Sequence, residues 1–345
     1  MQEETRRHLD YLDGWRGLAI ATVLLGHFWL DTVRPGISVL GVDFFFVLSG
    51  RLMAEILFVR EAQLPTFFAR RFSRVYPGIF CFVAVVSLAF LATDYAHGPL
   101  AAISALTFTL NYAMIYTHPV ALLDHLWSLC VEEHGYIILA GVALLARRRL
   151  WNPPLTMLAL GGFALANGIL RIAVLEQPYF DVFWRSDVQV APIFISAGLF
   201  LLLREHRVSP WVAPLALALG IAAKLSGGHV AIHFGFGTLL LALAVTTLDS
   251  AQPALRRAFQ AVPLRFLGLW SYSIYLWQQP FYKLAQDSVV SLPLALGAAF
   301  AAGLTSFYFV ERPARGWLNR RWPPAFERAR MHLEWRALRR REKSG

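Results

Sequence analysis

Arg16 and His27 are the first residues of this chain whose types and spacing suggest chemistry, and both lie in an apolar run, 12–30, that also holds Asp13. On a helix, eleven residues at about 100° each leave the two side chains about 20° apart around the axis and about 16 Å apart along it. A fixed cation thus shares a face with an imidazole, the side chain best suited to take a proton at neutral pH. A second run opens Gly41-Val42-Asp43 and continues to Gly50. Entering from the far side, Asp43 reaches a depth comparable with His27 and can orient its ring or simply pair with it. Further in, Arg51 and Glu55 stand at i,i+4 and are expected to form an internal ion pair. The stretch from His125 to His134 puts two adjacent carboxylates, Glu132 and Glu133, inside another run. Neighbours on a helix diverge by about 100°, so at most one of them faces His27, and the other pairs with an arginine such as Arg185 or reaches water.

Arg70, Arg71 and Arg74 form a basic cluster ending at Pro77. Such a cluster anchors topology. Guanidinium groups also grip phosphate oxygens in bidentate fashion, and Arg71 and Arg74, at i,i+3, share a helix face. No glycine-rich phosphate loop and no metal-ligand cluster competes for chemistry elsewhere, so no metal is expected.

Membrane helices must carry these groups. Of 345 residues, 57% are hydrophobic and 16% charged, where soluble domains carry about 25% charged residues. Mean hydropathy is +0.50. Apolar runs near the length that crosses a bilayer, about 20 residues, recur at 12–30, 38–59, 76–93, 101–116, 126–146, 155–174, 188–204, 209–224, 229–248, 264–285 and 291–311. Charges inside such runs are costly and mark function by default. The net charge of +10 sits between runs and at the C-terminus, as the positive-inside rule requires, which argues against nucleic acid as a partner.

The same rule selects a topology. Were 101–116 to cross, Arg147, Arg148 and Arg149 would fall outside; with 101–116 re-entrant or at the outer interface, every basic cluster falls inside. The expected fold is an all-α polytopic membrane protein with about ten transmembrane helices, one re-entrant or interfacial segment, and both termini cytoplasmic. The first run exceeds a typical signal-peptide core and carries Arg16 and His27, so it reads as a retained span. Cys81 and Cys130 both fall within apolar runs, which makes a disulfide framework unexpected. From Arg312 onward, eleven Lys or Arg face three Glu, with Phe326, Leu333, Trp335 and Leu338 interleaved. This pattern favours a helix lying on anionic lipid over a solvated tail. The division expected is a membrane domain over 1–317 and a basic tail over 318–345, with no internal repeat and no second soluble domain.

In order, the motifs resemble those of the acyltransferase-3 family of membrane-bound O-acyltransferases. The likeness rests on Leu12-Asp13-Gly14-Trp15-Arg16-Gly17 with His27, on Gly41 to Gly50, on the arginine cluster ending at Pro77, and on Trp127-Ser128-Leu129 followed by Glu132-Glu133. Ser271 to Trp277 and Glu311-Arg312-Pro313 complete it. There are departures: Arg51 stands where the family usually has an aromatic residue, His134-Gly135-Tyr136 replaces Gln-Phe-Tyr, and Gln278 replaces a common His.

The resemblance implies transfer of an acyl group, most often acetyl from acetyl-CoA, to a hydroxyl of a sugar or glycolipid at a bacterial inner membrane. It implies His27 as general base, oriented by Asp43 or a Glu (132 or 133), with Arg16 stabilising the donor or developing charge. Arg70, Arg71 and Arg74 would meet the CoA phosphates. An acyl-imidazole intermediate stays open at this point. A transporter would also bury charges, but it predicts paired discontinuous segments in related halves, which the sequence lacks. A non-catalytic relative would have no need of Arg16, His27 and the arginines together.

Overall fold

The computed structural model describes residues 2–322, with side chains from Asp10 onward, and every regular element among them is helical. The first helix, α1 (Gln2–Leu25), ends in a π turn, Gly26–Leu30, and α2 (Ile37–Ala54) ends in another, Glu55–Val59. Then come α3 (Leu64–Ala89), the short α4 (Pro99–Leu106) and α5 (Leu110–Tyr116), α6 (Trp127–Arg147) and α7 (Pro153–Ala173). Two more short helices, α8 (Tyr179–Phe183) and α9 (Ser186–Gln189), lead into α10 (Ala191–Leu203), followed by α11 (Val212–Lys224). A π turn, Ala231–Phe236, opens α12 (Gly237–Thr246); α13 (Pro253–Phe259), α14 (Val262–Gln286) and α15 (Leu292–Ser306) complete the set. Beyond α15 the helix runs through the π turn Phe307–Glu311 to Trp322.

Local chemistry sets these boundaries. Proline occupies the first turn of α3, α4, α7, α10, α13, α14 and α15, where its missing N–H is one the helix would leave unpaired anyway. Five helical stretches are long and apolar enough to cross a membrane: Leu64–Ala89, Asp124–Arg147, Pro153–Ala173, Ser186–Leu203 and Leu292–Trp322. The protein is an integral membrane protein. The run 101–116 breaks where Phe108 takes a left-handed backbone, φ 55°. Its two helices have 8 and 7 residues, about 12 Å or less each at 1.5 Å per residue, too short for a hydrocarbon core of about 30 Å.

Helix α1 lies centrally, packed on α14 and α2; α2 in turn packs on α10, which meets α7 and α12. Glycine permits the closest contacts. A Cβ at Gly17 would fall 1.9 Å from the Leu264 carbonyl oxygen, and one at Gly268 would fall 1.9 Å from that of Asp13. Gly17 of the first motif and Gly268 of α14 therefore let α1 and α14 touch backbone to backbone.

One expectation from spacing fails. Arg51 does not pair with Glu55; fully buried, it meets Asp249 at 2.6 Å, while Glu55 pairs with Arg60. Glu55 begins a π turn, where residues five apart, not four, come into register. The boundary expected at 317 falls within a helix described as far as Trp322. The interfacial helix expected in the tail concerns 323–345, which lie outside the described residues.

The two ends of the bundle differ. At one end Arg265 pairs with Asp10, and Arg147 donates to the Ala62 carbonyl. At the other, Lys283 pairs with Asp124 and Tyr95 donates to Asp287.

Candidate active site

A narrow cavity of ≈ 90 Å³ opens between α1, α2, α3, α6 and α14, with Arg16, Arg71, Arg74, Glu132 and Tyr136 around its charged end. Arg71 is fully engaged there. Its Nη2 donates to Glu132 Oε2 at 2.7 Å, its Nε donates to Glu133 Oε1 at 2.6 Å, and its guanidinium lies 4.3 Å from the Tyr136 ring centre. Ser49 Oγ adds a bond to Glu132 at 2.5 Å. Arg16 is braced by Asp13 at 2.7 Å. Arg74 differs: among the described residues it has no carboxylate within ion-pair distance, and it sits within Coulombic range of three cations, Arg16, Arg71 and Arg315, against the more distant carboxylate of Glu311. Arg70, on the same helix, is exposed. Arg74 is thus a poorly compensated cation facing a cavity, which suits a polyanionic ligand better than the already neutralised Arg71.

The other end of this cavity is closed by Val42, Phe45, Ser128 and Tyr275. Tyr275 is held on three sides. Its hydroxyl lies 2.7 Å from Ser128 Oγ and 2.8 Å from the His125 carbonyl, and its ring meets Phe45 edge-on at 6.3 Å. Gln278 follows three residues later on α14, about 4.5 Å further along the axis. There His27 Nδ1 lies 3.0 Å from Gln278 Oε1, and the His27 ring stacks on Tyr282 at 4.6 Å. The Gln278 amide nitrogen donates to Gln279 Oε1 at 3.2 Å, and Gln279 donates to Asp124. With its amide so oriented, Gln278 presents an acceptor to His27. Nδ1 therefore carries the proton and Nε2 keeps its lone pair, the tautomer a general base needs.

The sequence-derived candidates therefore divide into groups. Arg16, Arg71, Arg74, Glu132 and Glu133 converge at one end, and His27 stands beyond Tyr275. The carboxylates expected near His27 belong to Arg71 instead, and Arg185 pairs with Asp187. Asp43 is not joined to His27 either; buried on the other side of α2, it binds Lys224 at 2.7 Å. Gln278 takes the place expected of a carboxylate. Its signal was visible only as a departure at a motif position, while Arg315 and Lys224 gave none beyond lying at the edges of apolar runs. His125 is buried beside Tyr275 and Phe82. Among the described residues no cluster of three or more His, Cys, Asp or Glu is arranged to hold a metal ion.

Comparison with known proteins places this geometry. Residues 9–312 match the model of an acyltransferase domain. The chain is 28% identical over 363 aligned positions to the peptidoglycan O-acetyltransferase OatA of Listeria monocytogenes, covering 91% of this chain and 57% of that protein. It is 26% identical to the putative peptidoglycan O-acetyltransferase YrhL of Bacillus subtilis (90% and 55% covered) and 25% identical to the O-acetyltransferase OatA of Staphylococcus aureus (90% and 57%). The chain thus spans little more than half the length of these relatives. No solved structure matches it.

Proposed function

The chain belongs to this acyltransferase family, and from that premise we propose that it carries an acetyl group from cytoplasmic acetyl-CoA to a hydroxyl of a cell-wall glycan outside the membrane. One observation supports this most: Arg16 and Arg74 share a cavity whose far end lies a helical turn from the His27–Gln278 pair. In this reading Arg74, with Arg16 and Arg315, meets the CoA phosphates from the basic end. Glu132 and Glu133 act through Arg71, holding it rigid at the cavity wall, and Arg70 contributes only to the surrounding positive potential. The Tyr275 side chain then swings aside and the thioester extends toward His27. His27 Nε2 takes the acceptor hydroxyl proton, the oxygen bonds to the acetyl carbon as the C–S bond breaks, and the imidazolium returns the proton to the departing thiolate. Gln278 keeps Nδ1–H in place.

The topology that goes with this mechanism has ten spans, both termini and the arginine end in the cytoplasm, and α4–α5 at the outer face. Charge asymmetry between the two ends of the bundle favours it. The test uses proteoliposomes carrying a glycan inside and acetyl-labelled CoA only outside. Protein molecules whose arginine end faces the CoA should label the enclosed glycan; labelling that never exceeds that of liposomes without protein would overturn the reading.

A further inference from the structure

A second cavity, ≈ 750 Å³ and larger than the first, opens at the end of the bundle opposite the arginines, between α2, α7, α8 and α11. We propose that it holds the acceptor as a pyranose sugar ring, uncharged or nearly so. This rests on the acyl-transfer reading above and extends it to the second substrate.

Three features of its lining point to a sugar. The volume lies within the range of about 300–1,000 Å³ usual for small-molecule sites. One wall is aromatic: Tyr179 and Phe183 stack at 5.4 Å and 17°, with Phe180 edge-on to Tyr179 at 5.6 Å. Tyr179 and Phe180 remain 43% and 59% exposed, leaving flat apolar faces on which the C–H face of a pyranose can rest. The lining also holds the Lys224–Asp43 pair, only 8% and 6% exposed, with the ammonium 5.8 Å from the Phe234 ring centre. A buried ion pair contributes little net stability, but here it offers a fixed donor beside a fixed acceptor, the pattern that reads neighbouring hydroxyls.

Charge separates the two cavities. Arg34 and Lys224 in the larger are matched by Asp31 and Asp43, so nothing selects a polyanion, whereas the smaller adds Arg74, without a carboxylate at ion-pair distance, to Arg16 paired with Asp13 and Arg71 paired with Glu132 and Glu133. Position completes the case. Asp31, on the cavity rim, caps the π turn that holds His27 four residues earlier. Its carboxylate accepts from the backbone N–H groups of Ile37 and Ser38 at 2.8 and 3.2 Å, tying the rim to the start of α2.

The test uses the full chain in lipid nanodiscs. The probe is a tetrasaccharide of β-1,4-linked N-acetylglucosamine, offered free or carried on a polyprenyl diphosphate. Calorimetry reads its binding in wild type, in Lys224→Met and in Phe180→Ala; acetyl-CoA binding is read in the same samples. Phe180 is mostly exposed, so its variant remains foldable should Lys224→Met fail. Each variant should weaken sugar binding about tenfold or more, with acetyl-CoA affinity unchanged. Loss with the free sugar would mark a soluble or polymeric acceptor, and loss with the lipid-carried form alone would mark a glycolipid; either supports the site. Absence of binding of both forms to wild type, or full binding by Phe180→Ala, would overturn it. Failure of the acyl-transfer reading would show differently, as sugar binding without any acetyl-CoA binding.

Discussion

At the scale of single residues, His27, Arg74 and Arg71 differ in their surroundings, and each predicts a different outcome when replaced. His27 Nε2 is free because Gln278 occupies Nδ1. Replacing His27 with Gln keeps a polar group of similar reach but removes the base, and acetyl transfer should fall about 10²–10⁴-fold while the protein still inserts. A Gln variant with wild-type turnover in a labelled-acetyl assay would reduce His27 to a structural polar group. Arg74→Ala should weaken acetyl-CoA binding by about tenfold to a hundredfold, since a charge-assisted contact contributes about 1.5–3 kcal/mol. Arg71→Ala should act on folding instead. It would leave Glu132 and Glu133 charged and largely buried without their partner, a loss that typically costs about 3–5 kcal/mol. Detergent thermal melts beside CoA titrations separate the two; equal melting temperatures with equal loss of CoA binding would return both arginines to one role.

At the scale of helices, backbone contacts through glycine make the bundle intolerant of added bulk. A Cβ at Gly50 would lie 2.0 Å from the Ile193 carbonyl oxygen, so Gly50→Leu must drive α2 and α10 apart. The expected cost is at least about 1–3 kcal/mol, seen as a lowered melting temperature; an unshifted melt would mean that the helices separate freely. The helices themselves were legible in the sequence, because a bilayer fixes both their length and their apolarity. The charge of Arg147 to Arg149 singled out 101–116, the run that is divided into helices of 8 and 7 residues. The partnerships between side chains were not legible. Arg51 and Asp249 are 198 residues apart and His27 and Gln278 are 251 apart, distances over which spacing carries no information. Even the local rule failed where a π turn changed the register, giving Glu55 to Arg60 instead of Arg51. The arginine cluster, Arg16 and His27 were recognisable because isolated charge in an apolar run has few explanations. The division of labour among the carboxylates was not, because any of several arginines satisfies Glu132 or Glu133 equally well on paper.

At the scale of the whole molecule, two cavities of opposite character face the two ends of one bundle. The orientation this demands is testable directly. A cysteine at Arg148 should react with an impermeant maleimide only from the cytoplasmic side; labelling from outside would invert the topology. Between the smaller cavity and His27 stands the phenol of Tyr275, fixed by Ser128, the His125 carbonyl and Phe45. Its position bears on a quantity unrelated to acyl transfer, the electrical resistance of the membrane. Arginines, carboxylates and an imidazole strung across a bilayer are the ingredients of a proton leak, and a buried aromatic plug without a titrating group near neutrality interrupts it. Vesicles holding Tyr275→Ala should dissipate an imposed pH gradient that wild-type vesicles keep, as an entrapped pH-sensitive dye would report. Equal leak rates would show that the insulation lies elsewhere. Retention of the gradient by wild type alone would mean that a bundle carrying charge deep in the bilayer still insulates one compartment from the other.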